Sequence, residues 1–123
     1  MDNTFIVFNS YNDISHIIYA KENNSIINYN LLKQIILTEI KNAHEKNITN
    51  FNHFFDDVNK MDIVMSISAE DCNIKLWNLS TWDNILFLKK IYLNGCLFSA
   101  CFITDNNNYN YEYNCNNYIV TSN

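Results

Sequence analysis

Proline is absent from this sequence of 123 residues and glycine occurs once, at Gly95. That scarcity is unusual for a turn-rich chain, and it rules out a Gly-x-Ser-x-Gly nucleophile elbow. Tight turns then fall to asparagine, which tolerates positive φ better than most residues and is abundant here. Basic residues are also few. Eight Lys and Arg against 13 Asp and Glu leave a net charge of −5, and no basic run exceeds Lys89-Lys90. Neither nucleic acid nor an anionic membrane is therefore expected as an electrostatic partner. Met1-Asp2-Asn3-Thr4 has no basic n-region, and no long apolar run follows, so no signal peptide or membrane span is expected. An intracellular location, cytoplasm or nucleus, is the default. Cys72, Cys96, Cys101 and Cys115 lack paired C-x-x-C spacing. In a reducing compartment they read as small buried residues rather than disulfides or zinc ligands. The sequons at Asn23, Asn47 and Asn78 stay unglycosylated for the same reason.

What is present suffices for a core: 48% of residues are apolar and 15% aromatic. The excess of Asn, Ile, Tyr and Lys reads as the bias of an AT-rich genome rather than as chemistry. Short β-branched and aromatic runs recur along the chain. They predict strands over 4–8, 13–19, 25–32, 34–40, 48–55, 62–68, 73–79 and 84–93, then over 97–102 and 118–123. Leu31 to Lys41 also contains good helix formers, so a helix near 30–41 is the alternative there. Ile85-Leu86-Phe87-Leu88 lacks clean alternation, which burial on both faces of a sheet would explain.

The central stretch is Ser66-Ile67-Ser68-Ala69-Glu70-Asp71-Cys72-Asn73-Ile74-Lys75-Leu76-Trp77-Asn78. It predicts a hairpin, with Ile74 and Leu76 alternating against Lys75 and Trp77. A shift of about 48 residues lays Glu22-Asn23-Asn24-Ser25-Ile26-Ile27-Asn28-Tyr29-Asn30 on Glu70 to Asn78, and Phe5-Ile6-Val7 on His53 to Phe55. The unit therefore repeats.

The order Asp-x-x-Ile-Lys-Leu-Trp-Asn from Asp71 to Asn78, with Ala43-His44 upstream, resembles a WD repeat. Asn78 stands for the family's Asp and Ala43 for its Gly. The resemblance implies an all-β fold, a β-propeller of about two and a half four-stranded blades. The blades span about 3–42, about 43–93, and a partial third over about 95–123 with an Asn-rich insertion at 105–117. Asn94-Gly95 is either a crossover between blades or a type I′ hairpin turn. A closed ring takes four or more blades, so these residues are expected to supply part of one.

The resemblance also implies a structural hydrogen-bond chain of His44, Ser66, Asp71 and Trp77. The hydroxyl is the irregular member. Ala69 and Ile67 stand where the family usually has Ser or Thr, so Ser66 or Ser68 is expected to serve only through a strand bulge. The same His, Ser and Asp read as a catalytic triad only without regard to their context. His53 is expected as a packed core histidine, and His16 has no metal-spaced companion. Asp56-Asp57 is expected to form a solvated loop. Glu70 precedes the turn Asp, and Glu22 recurs at the matching position, which makes both possible partner-facing carboxylates. The function implied is a non-catalytic protein-interaction scaffold whose partners are other proteins or the remaining blades. No catalytic residue, metal, cofactor or small-molecule substrate is implied. The competing class is a small enzyme of unrelated fold or an α+β domain.

Overall fold

Phe5, Val7 and Asn9 lie on one side of the backbone and the more buried Ile6 and Phe8 on the other, and this period of two builds β1 (Phe5–Asn9). A computed structural model describes residues 4–70, 72–89, 99–104 and 117–122. It continues with β2 (Ser15–Lys21), β3 (Ser25–Asn30), β4 (Ile35–Ile40), β5 (Asn50–Asp56), β6 (Met61–Ser68), β7 (Asn73–Asn78), β8 (Asn84–Leu88), β9 (Ser99–Thr104) and β10 (Asn117–Ser122). The strands form two four-stranded meanders, β1-β2-β3-β4 and β5-β6-β7-β8, and a β9-β10 pair. All pairings are antiparallel. The all-β expectation is met, with no helix among the described residues.

The stretch that offered a helix is a tight turn and an edge strand instead. Asn30 Oδ1 accepts the Lys33 N–H at 3.0 Å and Gln34 takes a positive φ of 56°, so the chain reverses before helical bonds can propagate. Ile35 to Ile40 then pairs with β3. Asn94-Gly95 and the insertion up to residue 116 lie outside the described residues.

The two meanders repeat each other. β3 and β7 begin at Ser25 and Asn73, roughly 48 residues apart, and both fourth strands bulge at the corresponding place. Pairing jumps from Asn28↔Thr38 to Tyr29↔Ile36 in one sheet and from Leu76↔Leu86 to Trp77↔Asn84 in the other. Leu37 and Ile85 are left without opposite numbers. This bulge, rather than burial on both faces, explains the broken alternation of β8, whose residues are exposed or half-buried.

The offset does not hold along the whole unit. The β6–β7 turn has one residue more than the β2–β3 turn, so pairing partners match His16 with Ile63, through Asn30 and Asn78. By the same register Phe5, opposite Tyr19, corresponds to Phe51, opposite Ser66. The alignment of Phe5 to Val7 on His53 to Phe55 is therefore corrected to Phe51 to His53. Loop lengths differ between the units, and a fixed shift cannot follow them.

Non-equivalent faces meet between the sheets. Ile18 and Ile26, with Ile6, Phe8, Ala20 and Ile40, pack on Phe51, Val64, Trp77, Leu79 and Trp82. The counterparts of Ile18 and Ile26 in the second sheet, Met65 and Ile74, belong to its far face, a separate apolar cluster with Ile63, Ile67, Cys72 and Leu76. The sheets thus stack in the same sense, head to tail, and β6 is buried on both faces.

With so little glycine the turns take residues that resist positive φ. Only Asn23 and Asn42 of the described residues in that region are asparagines; Asp13, Glu22, Gln34, Lys60, Cys72 and Trp82 share it. The expectation that asparagine fills these turns is thus only partly met. A side chain there costs about 1–2 kcal/mol relative to right-handed backbone, whereas glycine costs about 0.5–1 kcal/mol in chain entropy. Gln34→Gly and Lys60→Gly, both at exposed turns, are therefore each expected to raise stability by about 0.5–1 kcal/mol. A urea midpoint that falls for both would show that these turns carry no strain.

Candidate functional site

The connection from β4 to β5 carries Ala43-His44 into the interior, where both are buried. The His44 N–H bonds to Asn24 O at 3.3 Å, and Ala43 O accepts Lys75 Nζ at 2.6 Å, which anchors the connection to both sheets. His44 Nε2 then lies 2.7 Å from Ser66 Oγ, and Trp77 Nε1 donates to the same oxygen at 2.8 Å. A serine hydroxyl has one proton. With two lone pairs beside that proton, Oγ accepts the indole N–H and joins His44 Nε2 as donor or acceptor according to the imidazole tautomer, so the chain runs from Trp77 through Ser66 to His44.

No bulge in β6 is needed for this. Trp77 stands opposite Val64, and Ser66 is the diagonal neighbour on the same face in unbroken register. The expectation of a strand bulge is corrected accordingly. Ser68 lies on that face too, fully buried, but its Oγ has no partner. Asp71, the fourth member that the resemblance implies, lies outside the described residues. Ser66 is 0% exposed, so its oxygen is sealed from any substrate and its work is to satisfy two buried groups.

Glu22 and Glu70 sit in the corresponding β2–β3 and β6–β7 turns, both exposed. Glu22 has a positive φ of 53°, and Glu70 lies 3.9 Å from Lys46 Nζ. His53 stacks on Phe8, ring centroids 3.7 Å apart, and donates through Nε2 to Asp62 Oδ1 at 2.7 Å. The Tyr11 N–H donates to Asp62 Oδ2 at 2.9 Å, so this carboxylate ties β6 to the β1–β2 turn of the other sheet. That tie is a contact the sequence did not reveal. His16 is buried and bonded through Nδ1 to Asn28 Oδ1 at 2.7 Å.

Asp56 and Asp57 do not share one environment. Asp56 is buried and organises its turn by accepting Val58 N–H, Asn59 N–H and Asn59 Nδ2. Only Asp57 is solvated, where its hydrogen bond raises the pKa of the exposed Lys60 ammonium. Cys72 is buried, its Sγ 3.7 Å from Ala69 O. Among the described residues no group of three or more His, Cys, Asp or Glu is placed to hold a metal ion. Among them, too, no helix is long and apolar enough to cross a membrane.

Neither protein-family models nor the curated proteins searched contain a match to this chain.

Proposed function

We propose that this chain is a segment of a WD-repeat-type β-propeller and works as a non-catalytic scaffold, holding other proteins or the remaining blades of the ring. The observation that carries the reading is the head-to-tail stacking of two like sheets. The Trp77 face of the second sheet is covered by the first, while the corresponding face of the first sheet presents Phe5, Val7 and Ile36 at 57%, 56% and 55% exposure. Head-to-tail contacts can be repeated indefinitely, so an uncovered member of the series invites another. The buried chain of His44, Ser66 and Trp77 adds support, because His44 and Trp77 stand where the WD-repeat pattern has them, even though Ser66 lies off the family's usual hydroxyl position. Glu22 and Glu70 are the carboxylates assigned to partners, since equivalent turns bring both to the same edge.

Exposed apolar faces of this kind drive association. The isolated chain is expected to self-associate at micromolar concentration or to bind a hydrophobic dye, and Phe5→Lys with Val7→Lys to suppress both. Sedimentation checks this. A dye-silent monomer before any substitution would count against the scaffold reading.

A further inference from the structure

The two sheets differ where their repeat should make them alike. In the common register His16 stands where the second sheet has Ile63, and Asn28 where it has Leu76. That face of the second sheet is an apolar cluster of Ile63, Met65, Ile67, Ile74 and Leu76. The first sheet has replaced two aliphatic members with polar ones at 4% and 3% exposure. Such burial is unfavourable unless donors and acceptors are met. Here only half of them are. His16 Nδ1 and Asn28 Oδ1 satisfy each other at 2.7 Å, whereas the ring's Nε2 and the amide's other end have no hydrogen-bond partner among the described residues and are not sealed from solvent. Both residues line a cleft of about 330 Å³ between the sheets, within the range of small-molecule sites, about 300–1,000 Å³.

We propose that this cleft binds a small neutral polyhydroxylated molecule, of the monosaccharide or polyol class, through adjacent hydroxyls held on His16 Nε2 and the Asn28 amide. With the imidazole proton on Nδ1, Nε2 accepts and the amide NH2 donates. With the amide turned over, Nε2–H donates and the carbonyl accepts. Both arrangements offer one donor and one acceptor, and hydroxyls, being both, meet either. Thr38 and Ser80 add the same dual chemistry to the wall, whereas the Ser10 hydroxyl is engaged by the Ile14 backbone. A charged ligand is disfavoured. No Lys or Arg lines the cleft, and both oxygens of its single carboxylate, Asp62, are engaged by His53 and the Tyr11 N–H.

The test is a titration of the isotopically labelled full chain with glucose, myo-inositol and glycerol, with inorganic phosphate and calcium chloride as charged probes. The His16 ring and Asn28 side-chain amide resonances are followed in the parent, and the Thr38 and Ser80 backbone amides in the parent and every variant. At least one neutral probe is expected to shift both signals saturably, and neither charged probe to do so. His16→Ile with Asn28→Leu, which copies the second sheet, is expected to weaken binding by more than about tenfold while melting no lower than the parent. Binding retained in that variant, silence from all the neutral probes, or a response to phosphate or calcium at the same signals overturns the proposal. Should the double variant fail to fold, Thr38→Val removes one wall hydroxyl at nearly constant volume. Several-fold weaker binding is expected there, and unchanged affinity overturns the proposal as well.

Discussion

Ser66→Ala is expected to lower stability by about 2–4 kcal/mol, a large loss for the removal of one oxygen. Two buried groups lose their partner at once, His44 Nε2 at 2.7 Å and Trp77 Nε1 at 2.8 Å. Each buried group left unsatisfied costs about 1–3 kcal/mol. Ser68 supplies the control. It lies on the same strand and face, is equally buried, and its Oγ has no partner, so Ser68→Ala is expected to be neutral or to stabilise by up to about 1 kcal/mol. Trp77→Phe keeps most of the apolar area and removes only the donor, for an expected loss of about 1–3 kcal/mol. Urea denaturation with an unchanged slope measures all three, and a double-mutant cycle between Ser66 and Trp77 isolates their coupling. Equal losses from Ser66→Ala and Ser68→Ala would mean that the hydrogen-bond chain contributes nothing beyond packing.

Asp62→Ala is expected to cost about 2–4 kcal/mol for a different reason. This carboxylate, 7% exposed, accepts from His53 Nε2 at 2.7 Å and from the Tyr11 N–H at 2.9 Å, and so joins the two sheets. Hydrogen bonds to a charged group contribute about 1.5–3 kcal/mol each, and the second one here spans 51 residues of chain. Asp62→Asn keeps an acceptor and is expected to lose about half as much. Hydrogen exchange gives a reading that a general loss of stability would not: the Tyr11 amide should exchange faster in Asp62→Ala than the global change accounts for. A Tyr11 amide protected as in the parent, after that correction, would dismiss the tie between the sheets.

The candidate site was legible only in part. His44 and Trp77 stood out because they fall where the WD-repeat resemblance places them, and Ser66 was one of two hydroxyls expected to join them through a bulge. Choosing it over Ser68 required the register, since opposition of Val64 and Trp77 puts Ser66 on the diagonal without a bulge. His53 was expected to be packed, and it is, against Phe8. Its bond to Asp62 was not visible, because the strand pattern treats Asp62 only as the polar start of a strand. Trp82 was overlooked entirely. It lies buried against Trp77 in a turn, with φ of 60°, where local sequence rules place small polar residues.

The sequence by itself determined the strands and their meander order. Alternation of period two and polar turns act between near neighbours, and consecutive strands joined by short turns pair antiparallel with little freedom. Each predicted strand core from Phe5 to Leu88 therefore lies within a strand of the structure. Tertiary structure alone decided which faces are covered, where the bulges fall, and that unlike faces of like sheets meet. These depend on contacts between side chains tens of residues apart, and single-residue differences in turn length change them. A turn one residue longer matches His16 to Ile63, on the far apolar face, instead of to Val64 on the Trp77 face, a distinction no fixed sequence shift contains.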